Sequence, residues 1–328
     1  MTRYWFVSKY RRNSKLALIT SILAFVVIIL GAYTRLTDAG LSCPDWPNCY
    51  GYITAPHTPQ QLEGAAQKYP LAPVNVKKAW TEMTHRYFAG TEGVLILILA
   101  ISILVSRKSN DIQAAYIGCI LIGLLGIQVM LGMFTVTEKL RPTIVLFHLL
   151  TGLSLLSVLW WAYLDLPLRD DAFVKRSNSP LIPWAWLAFI ILLLQITLGG
   201  WVSSHYAGLA CVDFPYCNGQ LIPPMQWNNL SGDLVTIHML HRMGAFITAT
   251  YLGVLALFLL THQAFRALSI LILGLVSTQV MLGILNITWL RPVGIALLHH
   301  AVAVLLLLTI ITFLVKTYYQ SWNHRYGY

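Results

Sequence analysis

Eight apolar runs govern what this chain can become, near 16–33, 80–105, 112–133, 143–164, 182–202, 235–260, 267–288 and 293–315. Each has about 20 residues, which as a helix rising about 1.5 Å per residue crosses the roughly 30 Å hydrocarbon layer of a bilayer. Lipid offers no partner for a backbone N–H or C=O, so each run must satisfy its own peptide groups and fold as a helix. The expected fold class is an all-α polytopic membrane protein with eight transmembrane helices. Composition excludes the ordinary soluble alternative. Only 10% of the 328 residues are charged, against about 25% in soluble domains. The second and sixth runs are less pure, each opening with ionisable residues.

The loops set the orientation. With the N-terminus inside, thirteen Lys and Arg fall in inside segments, among them Lys9, Arg11, Arg12, Lys15, Lys108, Lys175, Arg176 and Arg325. Seven fall outside: Arg35, Lys68, Lys77, Lys78, Lys139, Arg141 and Arg291. Positive charge is retained in the cytoplasm, so both termini are expected there. The net charge of +10 is mostly this topological signal and does not argue for nucleic acid. The first run is long and has no small-residue cleavage site, so no cleavable signal is expected. A short basic start leading straight into a span suits a bacterial plasma membrane.

The two halves repeat each other. GAYTRLTDAGLSCPDWPNC (31–49) aligns without a gap on GGWVSSHYAGLACVDFPYC (199–217), and EMTHR (82–86) on HMLHR (238–242). QVMLG occurs at 128–132 and 279–283, and LRP at 140–142 and 290–292. Order is kept, so a unit of four spans is duplicated. An even number of spans makes the repeat parallel, related by an axis along the membrane normal. Each copy is most simply a four-helix bundle with its site between facing helices.

Four of the five cysteines form two Cys-x5-Cys pairs, Cys43/Cys49 and Cys211/Cys217, in corresponding outer loops. An oxidising outer face favours disulfides, each constraining the unfolded chain by about 2 kcal/mol. A metal site competes, but the usual CxxC spacing is absent. Whether such bridges exchange electrons or only hold the loops stays open. Cys119, inside an apolar run, is expected to be a small core residue.

Four histidines, His85, His148, His241 and His299, each fall five or six residues past the outer start of an even-numbered run, roughly 8 Å below the surface. A lone intramembrane histidine is as readily a packing residue as a ligand. Four at repeat-equivalent positions point to function. Two imidazoles on facing helices can grip a haem iron from both sides, and a flat macrocycle fits between helices of a bundle. The pairs would be His85 with His148, and His241 with His299. Zinc would ask for a third or fourth close ligand; His238 could serve in one half, but Glu82 stands there in the other. Arg86, Arg242, Arg141 and Arg291 are candidates for holding haem propionates, or equally for anchoring helix ends at lipid headgroups. Gln128 and Gln279 are expected to bond between helices.

The symmetry breaks at Glu82, one turn before His85 and on its face, where the second half has His238. One haem site thus carries a carboxylate that the other lacks. Glu92, a heptad beyond His85, has Thr248 as its counterpart and has no assigned role.

These loops, EMTHR, HMLHR, His148 and His299 together resemble the haem A synthase family, over essentially the whole chain. The resemblance implies oxidation of the C8 methyl of haem o to the formyl of haem a. It implies that His85 and His148 hold the substrate haem o, that His241 and His299 ligate a resident haem b, and that Glu82 is the catalytic acidic residue. Residues 1–165 would then be the substrate-haem half, 166–181 a cytoplasmic linker and 182–328 the haem b half. An electron acceptor of unknown identity, the lipid bilayer and haem o synthase are the expected partners. A bis-histidine membrane cytochrome b that only transfers electrons is the main alternative. A transporter with alternating halves is a third reading, which predicts helices broken at mid-membrane.

Overall fold

The computed structural model describes residues 2–107, 111–169 and 179–319, with side chains from residue 9 onward. Lys108, Lys175, Arg176 and Arg325 of the charge pattern, and most of the expected linker at 166–181, lie outside the described residues. Among the described residues the chain is all α. Its helices are α1 (Thr2–Leu36), α2 (Pro59–Lys68), α3 (Val76–Ser106), α4 (Ile112–Thr137), α5 (Pro142–Asp165), α6 (Ile182–Ser204), α7 (Leu234–Leu259), α8 (Arg266–Thr288) and α9 (Val293–Tyr319). All but α2 are long and apolar enough to cross a membrane, and the protein is a multi-pass membrane protein. The runs read from the sequence agree with these spans to within a few residues at most ends.

Side chains fix where several spans begin. Asn75 caps α3 by accepting from Lys78 N–H at 3.1 Å, Asp111 caps α4 from Ala114 N–H at 3.0 Å, and Asp233 caps α7 from Thr236 N–H at 3.0 Å. Each pairs one of the orphan donors that a helix N-terminus leaves. Helix α2 was not expected. It opens on a capping box, in which Thr58 Oγ1 accepts from Gln61 N–H and Gln61 Oε1 accepts from Thr58 N–H, each at 3.3 Å, with Pro59 at the first helical position. The T-P-Q-Q string is a readable signal for such a start.

Contacts divide the chain into two compact units. One spans Lys15–Leu159; the other joins the chain up to Ser14 to Trp160 and beyond. In the first, α3 and α4 pack closely because Gly118 is a glycine: a Cβ there would stand 2.7 Å from Leu104 Cγ and 3.2 Å from the Ala100 carbonyl oxygen. Between membrane helices, where lipid is as apolar as leucine, close backbone approach supplies much of the attraction. The buried stripe of α4 is Ala114, Ile117, Gly118 and Leu121. Cys119 falls off that stripe and is exposed, which corrects the expectation of a core residue. One step along a helix turns a side chain by about 100° and carries it out of the packed face.

In the second unit α6 packs on α7 and α9, and α8 on α7 and α9, closing a ring of four helices. The C-terminal end of α9 is tied to the end of α5 by Asp165, fully buried, which accepts from Arg169 and from Tyr319 Oη. Trp160 Nε1 donates to Thr312 Oγ1 at 2.9 Å nearby.

The reversals between α4 and α5 and between α8 and α9 have the same backbone. Lys139 and Leu140 take φ of 49° and 58°, and Leu290 and Arg291 take 54° and 60°. Leu140 N–H donates to Thr135 O at 2.8 Å, and Arg291 N–H to Asn286 O at 2.7 Å. The turns therefore match Leu140 to Arg291, one residue out of step with the LRP strings, while agreeing with the QVMLG register. Arg141 and Arg291 are not equivalent positions. Three identical letters carried less information than the turn that closes the helix.

Candidate functional site

In the first unit the C-terminal end of α1 and the N-terminal end of α3 are joined by the 37–75 loop. Cys43 and Cys49 form a disulfide with Cα atoms 4.6 Å apart. Inside the bridged loop Asp45 accepts from Tyr50 N–H at 2.6 Å and Gly51 N–H at 2.7 Å, holding a turn in which both residues have positive φ. The disulfide, Tyr50, Ala55, Ala65, Ala79 and Met83 form a buried cluster against which Tyr52, Tyr69 and Trp80 pack. Burial raises the Tyr50 phenol above its ordinary pKa, with the charges of Glu82 and Asp45 adding to it.

Glu82, only 4% exposed, sits beneath this cap. Its Oε2 accepts from Cys43 N–H at 2.9 Å and its Oε1 from Arg86 Nη2 at 2.6 Å. Arg86 Nη1 in turn donates to the carbonyls of Asp45, Pro47 and Asn48, at 2.9, 3.1 and 2.6 Å. The carboxylate, the arginine one turn along and the disulfide loop thus form one hydrogen-bonded set. Nearly full burial makes these bonds stronger than they would be in water, and leaving any of them unmade is costly.

The second unit repeats the loop with different chemistry beneath it. Cys211 and Cys217 are bridged, Cα to Cα 4.7 Å. Asp213 accepts from Asn218 N–H at 2.6 Å and Gly219 N–H at 2.8 Å. The Gly219 bond holds the Asp213 carboxyl below its usual pKa. Arg242 donates to the carbonyls of Tyr216, Cys211 and Asp213 at 2.8, 3.1 and 3.0 Å. His238, in the place of Glu82, puts Nδ1 3.0 Å from the Ala207 carbonyl; since a carbonyl only accepts, Nδ1 carries the proton. Arg86 and Arg242 therefore spend these donors on the disulfide loops. Of the other two candidate arginines, Arg141 is exposed, and Arg291 lies across Gly208, 3.4 Å from where a Cβ would be.

All four histidines lie in spans. His148, His241 and His299 stand six or seven residues into their helices. His85 stands nine residues past Val76, because α3 starts earlier than its apolar run. Each ring rests on a glycine of a neighbouring helix. A Cβ on Gly31 would stand 3.0 Å from His85 Cε1, on Gly132 3.3 Å from His148 Cε1, on Gly199 3.1 Å from His241 Cε1, and on Gly283 3.3 Å from His299 Cε1. Gly31 and Gly199 are repeat partners, as are Gly132 and Gly283. These glycines were inside the quoted repeats, yet nothing in the letters tied them to particular imidazoles. Within each unit the two rings are near enough to act on each other electrostatically, His85 on His148 and His241 on His299.

Unpaired buried polar atoms collect around the rings. Nδ1 of His85, His148 and His299 and Oε1 of Gln128, Gln195 and Gln279 have no hydrogen-bond partner. Gln279 Nε2 lies 3.2 Å from His299 Nε2; as an amide nitrogen it donates, so that imidazole nitrogen presents a lone pair. Gln279 does bond between helices, as expected, whereas Gln128 packs its amide over Gly152. Glu92 is buried in α3 and Thr248, its counterpart, is buried in α7. Among the described residues no group of three His, Cys, Asp or Glu forms a cage for a metal ion. The arrangement offers two imidazoles per unit.

Residues 14–311 match the family model described as cytochrome oxidase assembly protein. The chain belongs to this family. A relative in Shewanella oneidensis named heme A synthase is 40% identical over 311 residues, covering 90% of this chain and 93% of that one. Proteins of the same name in Caulobacter and in Shouchella clausii are 28% and 26% identical, covering 90% and 92% of this chain and 93% and 95% of theirs.

Proposed function

We propose that the protein is a haem A synthase that oxidises the C8 methyl group of haem o to a formyl group. The observation that carries this reading is the asymmetry of two otherwise matched sites. Each has two imidazoles lying on glycines, but only the first has a buried carboxylate, Glu82, one turn from a ring. A cytochrome that merely passes electrons gives that carboxylate no task.

His85 and His148 would hold the substrate, haem o, and His241 and His299 would hold the resident haem b. The residues fit such a group. Three of the four rings have an unpaired buried nitrogen. A haem b held there supplies a one-electron acceptor and donor. The remaining work falls to the chain. Glycine at the four contact points lets the rings sit close against the neighbouring helices, which fixes their positions. Glu82 accepts or relays protons that leave the methyl carbon as it is oxidised, and its bonds to Cys43 N–H and Arg86 hold it where it acts. With water supplying the formyl oxygen, methyl to formyl releases four electrons and four protons through a hydroxymethyl stage, so an electron acceptor outside the chain is required. Haem o synthase is the partner that would deliver the substrate. Residues 1–165 form the substrate half, 166–181 the linker and 182–328 the haem b half. The bilayer is a bacterial plasma membrane, with both termini cytoplasmic.

Adding haem o to the purified protein with an electron acceptor and identifying the extracted pigment tests this. Haem a is expected. Haem o recovered unchanged, from protein whose own haem is reduced and reoxidised normally, would leave the cytochrome reading.

A further inference from the structure

The two histidine sites differ in a second, less visible way. In the second unit, Gln195 lies one turn before Gly199 on α6. Its amide Nε2 stands 3.0 Å from His241 Nδ1 and 3.1 Å from the His241 carbonyl oxygen. The side chain has room because α7 carries Gly244 one turn past His241. A Cβ there would overlap Gln195 Oε1 and stand 2.8 Å from Leu198 Cδ1. The gap-free match of VIILG (27–31) on QITLG (195–199) puts Val27 opposite Gln195, and the EMTHR and HMLHR register puts Phe88 opposite Gly244. The first half lacks both the polar side chain and the notch that admits it. Nδ1 of His85, His148 and His299 is buried with no hydrogen-bond partner, whereas Nδ1 of His241 has the Gln195 amide against it.

We propose that Gln195 is a positioning residue for the second-half site: its amide, seated against Gly244, fixes the ring plane of His241, and the first half has no side-chain counterpart to it at His85. This rests on the reading of His241 as an iron ligand. An imidazole that binds iron through Nε2 keeps its proton on Nδ1 and needs an acceptor there. Oε1 of Gln195 is the amide atom without a partner, and a half-turn about the Cγ–Cδ bond exchanges it with Nε2. That half-turn exchanges the amide's bond to the His241 carbonyl for one from Nδ1–H, so binding iron would turn the Gln195 amide over. An acceptor on Nδ1–H orients the ring and makes it a stronger donor, and losing such a partner typically costs about 10- to 100-fold in metal affinity. A resident cofactor needs that grip. A substrate that must leave as product does not.

The test uses the full chain, purified with its haem, as Gln195→Val, Gln195→Glu and His241→Ala. Two quantities are read: the rate at which haem b passes to an excess of a haem-scavenging protein, and the midpoint potential of the low-spin haem. Gln195→Val, which installs the first-half residue, should release haem b about 10- to 100-fold faster and raise its potential. Gln195→Glu keeps an acceptor on Nδ1 and should hold the haem and lower the potential. Wild-type retention and potential in Gln195→Val would overturn the proposal. If that variant does not fold, an unchanged potential in Gln195→Glu overturns it equally. His241→Ala separates the underlying reading: full haem b there would mean that His241 is not a ligand at all.

Discussion

At the scale of single residues, the account turns on Glu82. The sequence placed it beside His85, and the structure adds what holds it, Cys43 N–H on one oxygen and Arg86 on the other. The i,i+4 spacing of Glu82 and Arg86 is a signal for that ion pair, but from the sequence Arg86 was expected at haem propionates or lipid headgroups, and the pair was missed. That Arg86 would reach the loop carbonyls was not legible, because a helix sequence does not tell which loop folds back over its end. Glu82→Gln keeps the size and the ability to accept from Cys43 but removes the ionisable group. Bound haem should stay near wild type while haem a formation falls by about 100- to 10,000-fold, the usual worth of one acid–base group. Haem quantitation and pigment analysis on the same sample check this, and a normal rate would reduce Glu82 to a loop anchor. Gln195 escaped notice for a different reason: one glutamine in an apolar span looks like any interhelical polar contact. Only its distance to His241 and the notch at Gly244 single it out.

Elements explain how such residues are held. The spans were legible because run length and hydropathy decide them, and the cysteine pairs because spacing and compartment do. Helix α2 was missed because a polar ten-residue segment has no membrane signal, although Thr58 and Gln61 mark its start. Thr58→Ala removes one half of that capping box and should destabilise α2 by about 1 kcal/mol. Limited proteolysis should then cut within 59–68 more readily, with haem content unchanged. The second disulfide loop makes a pH prediction. The Asp213 carboxyl lies below the usual range, held there mainly by Gly219 N–H. A lowered folded-state pKa stabilises the loop above the ordinary carboxylate range, and the effect is lost only as pH falls through the lower folded value. Protection of the Asn218 and Gly219 amides from hydrogen exchange, corrected for the intrinsic pH dependence, should therefore persist through pH about 4 and collapse below it. Loss well above pH 4 would show that Asp213 does not hold the turn.

For the whole molecule, duplication is the organising fact, and its departures are informative. Matching turns, disulfide loops and glycine seats recur in both units, while Glu82 against His238, and Val27 with Phe88 against Gln195 with Gly244, do not. A duplicated unit in which one copy has a buried acid and the other a glutamine against a histidine suits the proposal that one haem is altered while another stays. Sequence alone showed the four histidines and their pairing. It did not show which copy does which, since spacing is the same in both; that came from the resemblance and rests on experiment. The direct measurement is the pyridine haemochrome spectrum of the purified protein carrying His85→Ala, His148→Ala, His241→Ala or His299→Ala, one at a time. Haem b should disappear from the His241 and His299 variants and remain in the His85 and His148 variants. Equal haem b in all four, or its loss from the first-half variants alone, would contradict the division of labour between the halves.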